Sequence, residues 1–233
     1  FEGRCDAILF VPALEADTFT PPASNDFAWR RELLGRAPNP PMAGEYDFVV
    51  CGGGYAGMCA AVAAARLGLK TALIQNRPVL GGNASSEVRV CPIGKPGLPP
   101  FPRNSDILYE IHKLSNVTLD SQSYQRPLPD EAALEKWIRN EKNLELFLNF
   151  HVFAVITNGA RIASIVARHT QRAGELRFDG RFFADCTGDA TVGFLAGADY
   201  RAGSESREET GEPLAAPEGE RKYLGATNYW KTR

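Results

Sequence analysis

Apolar residues recur along this chain in two rhythms. Tyr46–Cys51 (YDFVVC) and Thr71–Gln75 (TALIQ) are short, nearly continuous apolar runs, the pattern of parallel strands buried on both faces. Between them Ala56–Leu67 is alanine-rich and small on every side, as a helix lying close on a sheet has to be. Strand, helix and strand in this order make a βαβ unit with a right-handed crossover. Further on, Ser105–Leu114 brings Ile107, Leu108, Ile111 and Leu114 to one helical face and leaves His112 on an exposed one. Asp130–Lys142 gathers Leu134, Trp137 and Ile138, with Glu135 and Arg139 one turn apart as an ion pair. The period then drops to two. Leu144–Leu148 leads through Val152–Thr157 to Asn158-Gly159, a hairpin signal, and on to Arg161–His169. Glu175–Phe178 reads as a third meander strand that turns at Asp179-Gly180 into the apolar run Arg181–Cys186.

Proline marks the borders of these elements. None of the 16 prolines falls between residues 130 and 212. Residues 1–45, with Pro21-Pro22 and Pro38-Asn-Pro-Pro41, read as an irregular extension carrying a short helix near Trp29–Leu34. Residues 46–225 form the main domain, and 92–130 are a loop and helix insertion into it. Residues 226–233 read as the start of a segment that continues past Arg233. The fold class is α/β, a βαβ nucleotide unit plus an antiparallel meander.

Composition narrows the classes. The 233 residues are 44% hydrophobic and 23% charged, enough for one substantial core, and no window approaches the roughly 20 apolar residues that span a bilayer. With 26 basic against 28 acidic residues and no polybasic arm, neither nucleic acid nor membrane is expected as a partner. The cysteines (Cys5, Cys51, Cys59, Cys91, Cys186) form no C-x-x-C pair and read as reduced thiols. Reduced thiols favour a reducing compartment, and a cytoplasmic location is the expectation. The three histidines are too scattered for a metal site.

The chemistry lies in three glycine-containing turns. Gly52-Gly53-Gly54-Tyr55-Ala56-Gly57 is a G-x-G-x-x-G that follows a strand and opens a helix, extended by Ala61 and Gly68. Gly52 allows the tight turn, Gly54 lets backbone approach a diphosphate, and Gly57 and Ala61 let the helix pack on the strand. The N–H groups and positive end of the helix then hold the anion. At the end of the second strand, where an acid usually accepts from the adenosine ribose, stand Gln75 and Asn76. Gln75 is expected to bond one ribose hydroxyl through its carbonyl oxygen, and Gln75→Glu to tighten binding. Then comes Arg77-Pro-Val-Leu-Gly81-Gly82-Asn83-Ala-Ser85-Ser-Glu87, with Arg77 as a cation near the phosphates and short polar groups at Asn83, Ser85 and Ser86. The third turn is Ala184-Asp-Cys-Thr187-Gly188-Asp189, where Asp189 reads as the N-cap of a helix bearing Val192, Leu195 and Ala196.

The glycine doublet at 81–82 resembles that of FAD-binding proteins, and the Thr187-Gly188-Asp189 stretch resembles a second flavoprotein motif. Together with the first turn they make the chain similar, over about residues 46–225, to FAD-dependent oxidoreductases of the glutathione-reductase type. It is most similar to a bacterial group with R-P-V-L-G-G-N-A-S-S-E and D-C-T-G-D motifs. The resemblance implies an FAD site built from discontinuous segments, with a backbone residue near the adenine, for which Val152 is the candidate. It also implies that this length holds the adenosine-diphosphate half of the site and part of a second sheet, but not the flavin half.

The resulting expectation is an FAD-dependent oxidoreductase passing a hydride from a small organic substrate to flavin. By residue type His112 and His151 are the proton-transfer candidates, neither assigned. An NAD(P)-binding Rossmann enzyme would explain Gly52–Gly57 but leave the later motifs without a reason. A non-catalytic FAD-binding module is the alternative from another class. An FAD-dependent RNA-modifying enzyme fits the first turn but not the charge balance.

Overall fold

Every residue of Thr71–Gln75 is buried, as a central parallel strand requires. In the computed structural model, which describes residues 27–37, 39–90, 106–114 and 130–220, this strand is β2 of a six-stranded sheet. The chain divides into two compact units, Phe1–Pro40 and Pro41–Arg233. In the first, α1 (Phe27–Leu33) is the short helix expected near Trp29, and Arg31 Nε closes the following turn on Ala37 O at 2.7 Å. The proline-rich 92–103 loop, Cys5, Cys91 and residues 221–233 lie outside the described residues.

The second unit holds the sheet, in the order β3-β2-β1-β6-β5-β4. β1 (Met42–Cys51) begins four residues before the apolar run, because its N-terminal part pairs with β6 through a bulge between Met42 and Gly44. α2 (Tyr55–Arg66) connects β1 to β2, and β3 (Leu144–Leu148) lies parallel on the far side of β2. β4 (Phe150–Asn158) and β5 (Arg161–His169) form the hairpin that Asn158-Gly159 announces. β6 (Glu175–Asp185) completes the meander against β5 and returns parallel beside β1.

Two expectations change here. Asp179-Gly180 is not a turn; β6 runs through it unbroken for 11 residues. A side chain at Gly180 would stand 2.9 Å from both Val49 and the Phe183 ring, so close packing rather than chain reversal accounts for the glycine. Nor does the meander start a second sheet, since β6 hydrogen-bonds β5 on one side and β1 on the other. The sheet instead bends over itself. Phe147 of β3 meets Phe178 of β6 edge-on at 4.8 Å, although β2 and β1 lie between them in strand order.

Alternation along β1 and β2 feeds two cores. Val50 and Leu73 point to one face, with Met58, Ala61, Val62 and Ala65 of α2, Ile111 of α3 (Asp106–Lys113), and Leu134 and Ile138 of α4 (Glu131–Arg139). Val49, Cys51, Ala72 and Ile74 point to the other, with Val152, Ile165, Ala167 and Phe178 of the meander. Asp130 caps α4 by accepting from Ala133 N at 2.7 Å, and the Glu135–Arg139 pair forms at 2.7 Å. Arg66 at the end of α2 makes a two-pronged bond to Glu110 of α3, each arm 2.7 Å, and also reaches Glu141 beyond α4. These layers leave the carboxyl ends of β1, β2 and β6 together at one edge.

Candidate functional site

The turns beyond those three strand ends border one open hollow of about 750 Å³. It lies outside the carboxyl ends of parallel strands, where α/β sheets bind their ligands, and its size is that of a small-molecule site.

Three of the four glycines of the first turn play different parts. Gly52 has φ +113°, and a Cβ there would stand 2.0 Å from Cys186 O, so the ends of β1 and β6 leave no room for a side chain. At Gly57 a Cβ would meet Gly52 O at 1.8 Å, which brings the first turn of α2 directly onto the strand end. Gly54 has neither constraint. Its φ of −70° and ψ of 179° suit any residue, and the nearest atom to an added Cβ is 3.9 Å away. What the glycine provides is open space above the backbone. No side chain caps α2, whose first-turn N–H groups have no intrahelical partner and carry its positive end.

The second turn is laced to the first. Gly81 N donates to Gly53 O at 2.9 Å, and Gly54 and Gly81 form a parallel bridge. Gly82–Ala84 make one short 3-10 turn, with Ser85 buried behind it. Gln75 departs from its expected part. It is 5% exposed; its Oε1 accepts from Gly53 N at 2.9 Å, and its Nε2 donates to Val79 O at 2.9 Å. Protein backbone thus meets both ends of the amide, because the strand end is held between two loops. Arg77 likewise has a protein partner, Glu87 Oε2 at 2.6 Å, which lifts the Arg77 pKa. The exposed polar side chain left at the end of β2 is Asn76.

In the third turn Asp189 is not the helix cap. The residue before α5 (Thr191–Leu195) is Ala190, in left-handed conformation with φ +52° and no side-chain cap bond. Asp185 does the holding from the end of β6: its carboxylate accepts from Thr187 N at 3.1 Å, Thr187 Oγ1 at 2.7 Å and Gly193 N at 2.9 Å. Thr187 Oγ1 in turn accepts from Thr191 N. Burial raises the Asp185 pKa, but the N–H and O–H donors outweigh it and leave the carboxyl below its ordinary value. Asp189 is thereby left exposed at the edge of the hollow.

The hollow is bordered by Gly52, Gly54, Tyr55, Ala56, Gln75, Asn76, Arg77, Gly81, Gly82, Asn83, Ser85, Val152, Thr187, Gly188 and Asp189. Gly53 and Gly57 lie behind it, Gly53 with its N–H already bonded to Gln75. His151 stands exposed at its rim beside Val152. His112 is not on an exposed face; it is 7% exposed, edge-on to Tyr55 at 6.1 Å, because α3 packs that face against α2. Residues missed from the sequence include Glu87, Phe150 and Cys186 at the hollow and Asp185 at the end of β6, which holds the third turn. The acid heading D-C-T-G-D was the available signal for Asp185. Burial and then Asp185 push the Cys186 thiol up, and burial keeps Cys51 neutral, so neither offers a ready thiolate.

Bare glycine backbone, an uncapped helix start and short polar side chains around a hollow define a dinucleotide-binding α/β fold. Residues 47–230 match the family of FAD dependent oxidoreductases, and the chain belongs to that family. Its cofactor is FAD, which decides against the NAD(P) reading. Among solved structures, the chain is similar to a myxobacterial chondrochloren halogenase, an FAD-dependent halogenase, at 19% identity over 69% of this chain and 41% of that one, with TM-score 0.45. It is similar to GidA of Aquifex aeolicus at 22% identity over 60% and 25%, with TM-score 0.42. A geranylgeranyl bacteriochlorophyll reductase-like protein of Thermoplasma acidophilum shares 18% identity over 66% and 42%, with TM-score 0.44. The chain thus spans 25% to 42% of the length of these three.

The cofactor fits the residues present. The space over Gly54 admits a phosphate that a Cβ would block, and the N-terminus of α2, whose cap residue is a glycine, borders the same hollow.

Proposed function

We propose that this chain holds the adenosine-diphosphate half of FAD in an oxidoreductase of the glutathione-reductase type. The observation that carries the reading is Gly54, a glycine that neither backbone conformation nor packing demands, over open space at a helix start. Gly54, Tyr55 and Ala56 bind the diphosphate through backbone; Gly81 and Gly82 admit it from the second loop, with Asn83 and Ser85 as short polar neighbours. Asn76 and the Arg77–Glu87 pair border the ribose, Val152 the adenine, and Thr187, Gly188 and Asp189 the chain leading toward the flavin. Residues 46–225 are the cofactor-binding portion. FAD bound here supplies a two-electron acceptor for hydride from a small organic substrate. This chain's residues bind and orient it, and keep the site free of competing thiolates.

The test is FAD titration of the purified protein, read as flavin fluorescence quenching and as retained absorbance near about 450 nm. Gly54→Ala is expected to weaken FAD binding by about 10- to 100-fold while leaving the circular dichroism and unfolding midpoint unchanged. Wild-type protein that binds no FAD, or Gly54→Ala protein that binds it equally well, overturns the reading.

A further inference from the structure

Gln75 closes a ring of hydrogen bonds that no sequence motif announces. Its Oε1 accepts from Gly53 N, the Gly53 carbonyl accepts from Gly81 N, and two residues before Gly81 the Val79 carbonyl accepts from Gln75 Nε2, each bond 2.9 Å. Both polar groups of Gly53 are therefore held, one by the side chain of β2 and one by the second loop. Because the peptide after Gly53 is planar and trans, fixing its carbonyl toward Gly81 fixes the opposite direction for Gly54 N–H. The ring is also packed shut. A Cβ on Gly53 would stand 2.6 Å from Leu80 Cδ2 and 3.0 Å from Gln75 Cβ, and Leu80 is 2% exposed.

The position needs one acceptor and one donor, at opposite ends of a short planar group. An amide offers both; a carboxylate offers two acceptors and sets a charge beside a diphosphate. We infer that Gln75 is a positioning residue that locks the two glycine loops around the diphosphate site, and that an amide there, not an acid, is what cofactor binding requires. This rests on the FAD reading above and reverses the expectation that Gln75→Glu tightens binding. A protonated glutamic acid, unlike a glutamate, regains the donor to Val79. The variant therefore has a pH signature that simple destabilisation lacks.

The experiment compares FAD affinity of wild type, Gln75→Glu and Gln75→Leu by fluorescence quenching at pH 8 and pH 5. The other titratable groups bordering the hollow are Cys51 on β1, Tyr55 on α2, Arg77 and Glu87 along the second loop, His151 on β4, and Cys186 and Asp189 in the third turn. They are common to all three proteins, so the ratio to wild type at each pH isolates residue 75. Gln75→Glu is expected to bind about tenfold more weakly than wild type at pH 8 and within about twofold of it at pH 5. Gln75→Leu is expected to stay about tenfold weaker at both. Without nucleotide, the Gly53 amide should exchange slowly in wild type and at least about tenfold faster in Gln75→Leu. Gln75→Glu binding at wild-type strength at pH 8, or equally weakly at both pH values, overturns the assignment while FAD binding by wild type stands. A fast Gly53 amide in wild type overturns it even where the variants do not fold. Wild type that binds no FAD overturns the cofactor reading itself, and the assignment with it.

Discussion

Asp185 holds the third turn by charge as much as by geometry. One carboxylate accepts from Thr187 N, Thr187 Oγ1 and Gly193 N and so keeps Thr187-Gly188-Asp189 at the edge of the hollow. Its pKa lies below the ordinary value in the folded protein, so its contribution is present above the unfolded value of about 4 and is lost as pH falls through the lower folded one. Asp185→Asn is therefore expected to be less stable than wild type at pH 7, with the difference narrowing by pH 3, as urea midpoints at the two pH values will read. The glycines of the first turn show how far residues speak for themselves. Gly52 and Gly57 are readable as a tight turn and a close contact. That Gly53 donates to a side chain 22 positions away is not, because the partner comes from another strand.

At the scale of elements, periodicity locates β2 to the residue and the α4 ion pair to its two partners, since both depend on neighbours in sequence. α4 carries its capping aspartate and its buried stripe together. Asp130→Ala should cost about 1 kcal/mol and Ile138→Ala about 2–5 kcal/mol in denaturant unfolding, the second more because Ile138 is fully buried against α2 and the sheet. The linear pattern divides β6 into two short strands where the fold has one. Asp-Gly is a turn signal only where the chain is free to reverse, and here the pairing of β6 with β1 on one side and β5 on the other keeps it straight. His112 departs from its expected place for a related reason. The stripe of Ile107, Ile111 and Leu114 gives a helix an inner face, but the width of that face depends on what packs on it, and Tyr55 extends it to His112.

For the molecule as a whole, the site exists only once three strand ends meet, so ligand and fold should stabilise each other. FAD at about 100 times its dissociation constant is expected to raise unfolding free energy by about 2.7 kcal/mol and the melting midpoint by about 5–11 °C, measured by thermal unfolding with and without FAD. An unchanged midpoint at saturating FAD would mean that the hollow does not take it. The class of fold, the glycine turns and most residues bordering the hollow are legible in the linear chain, because strand–turn–helix geometry and glycine chemistry are local. Which side chains stay free to meet a ligand was decided by packing. Gln75 was turned inward by two loops, Arg77 was paired with Glu87, and Asp189 was released because Asp185 took over the turn. Each of those outcomes depends on a partner brought close by the sheet, and no spacing along the chain encodes a distance that only folding creates.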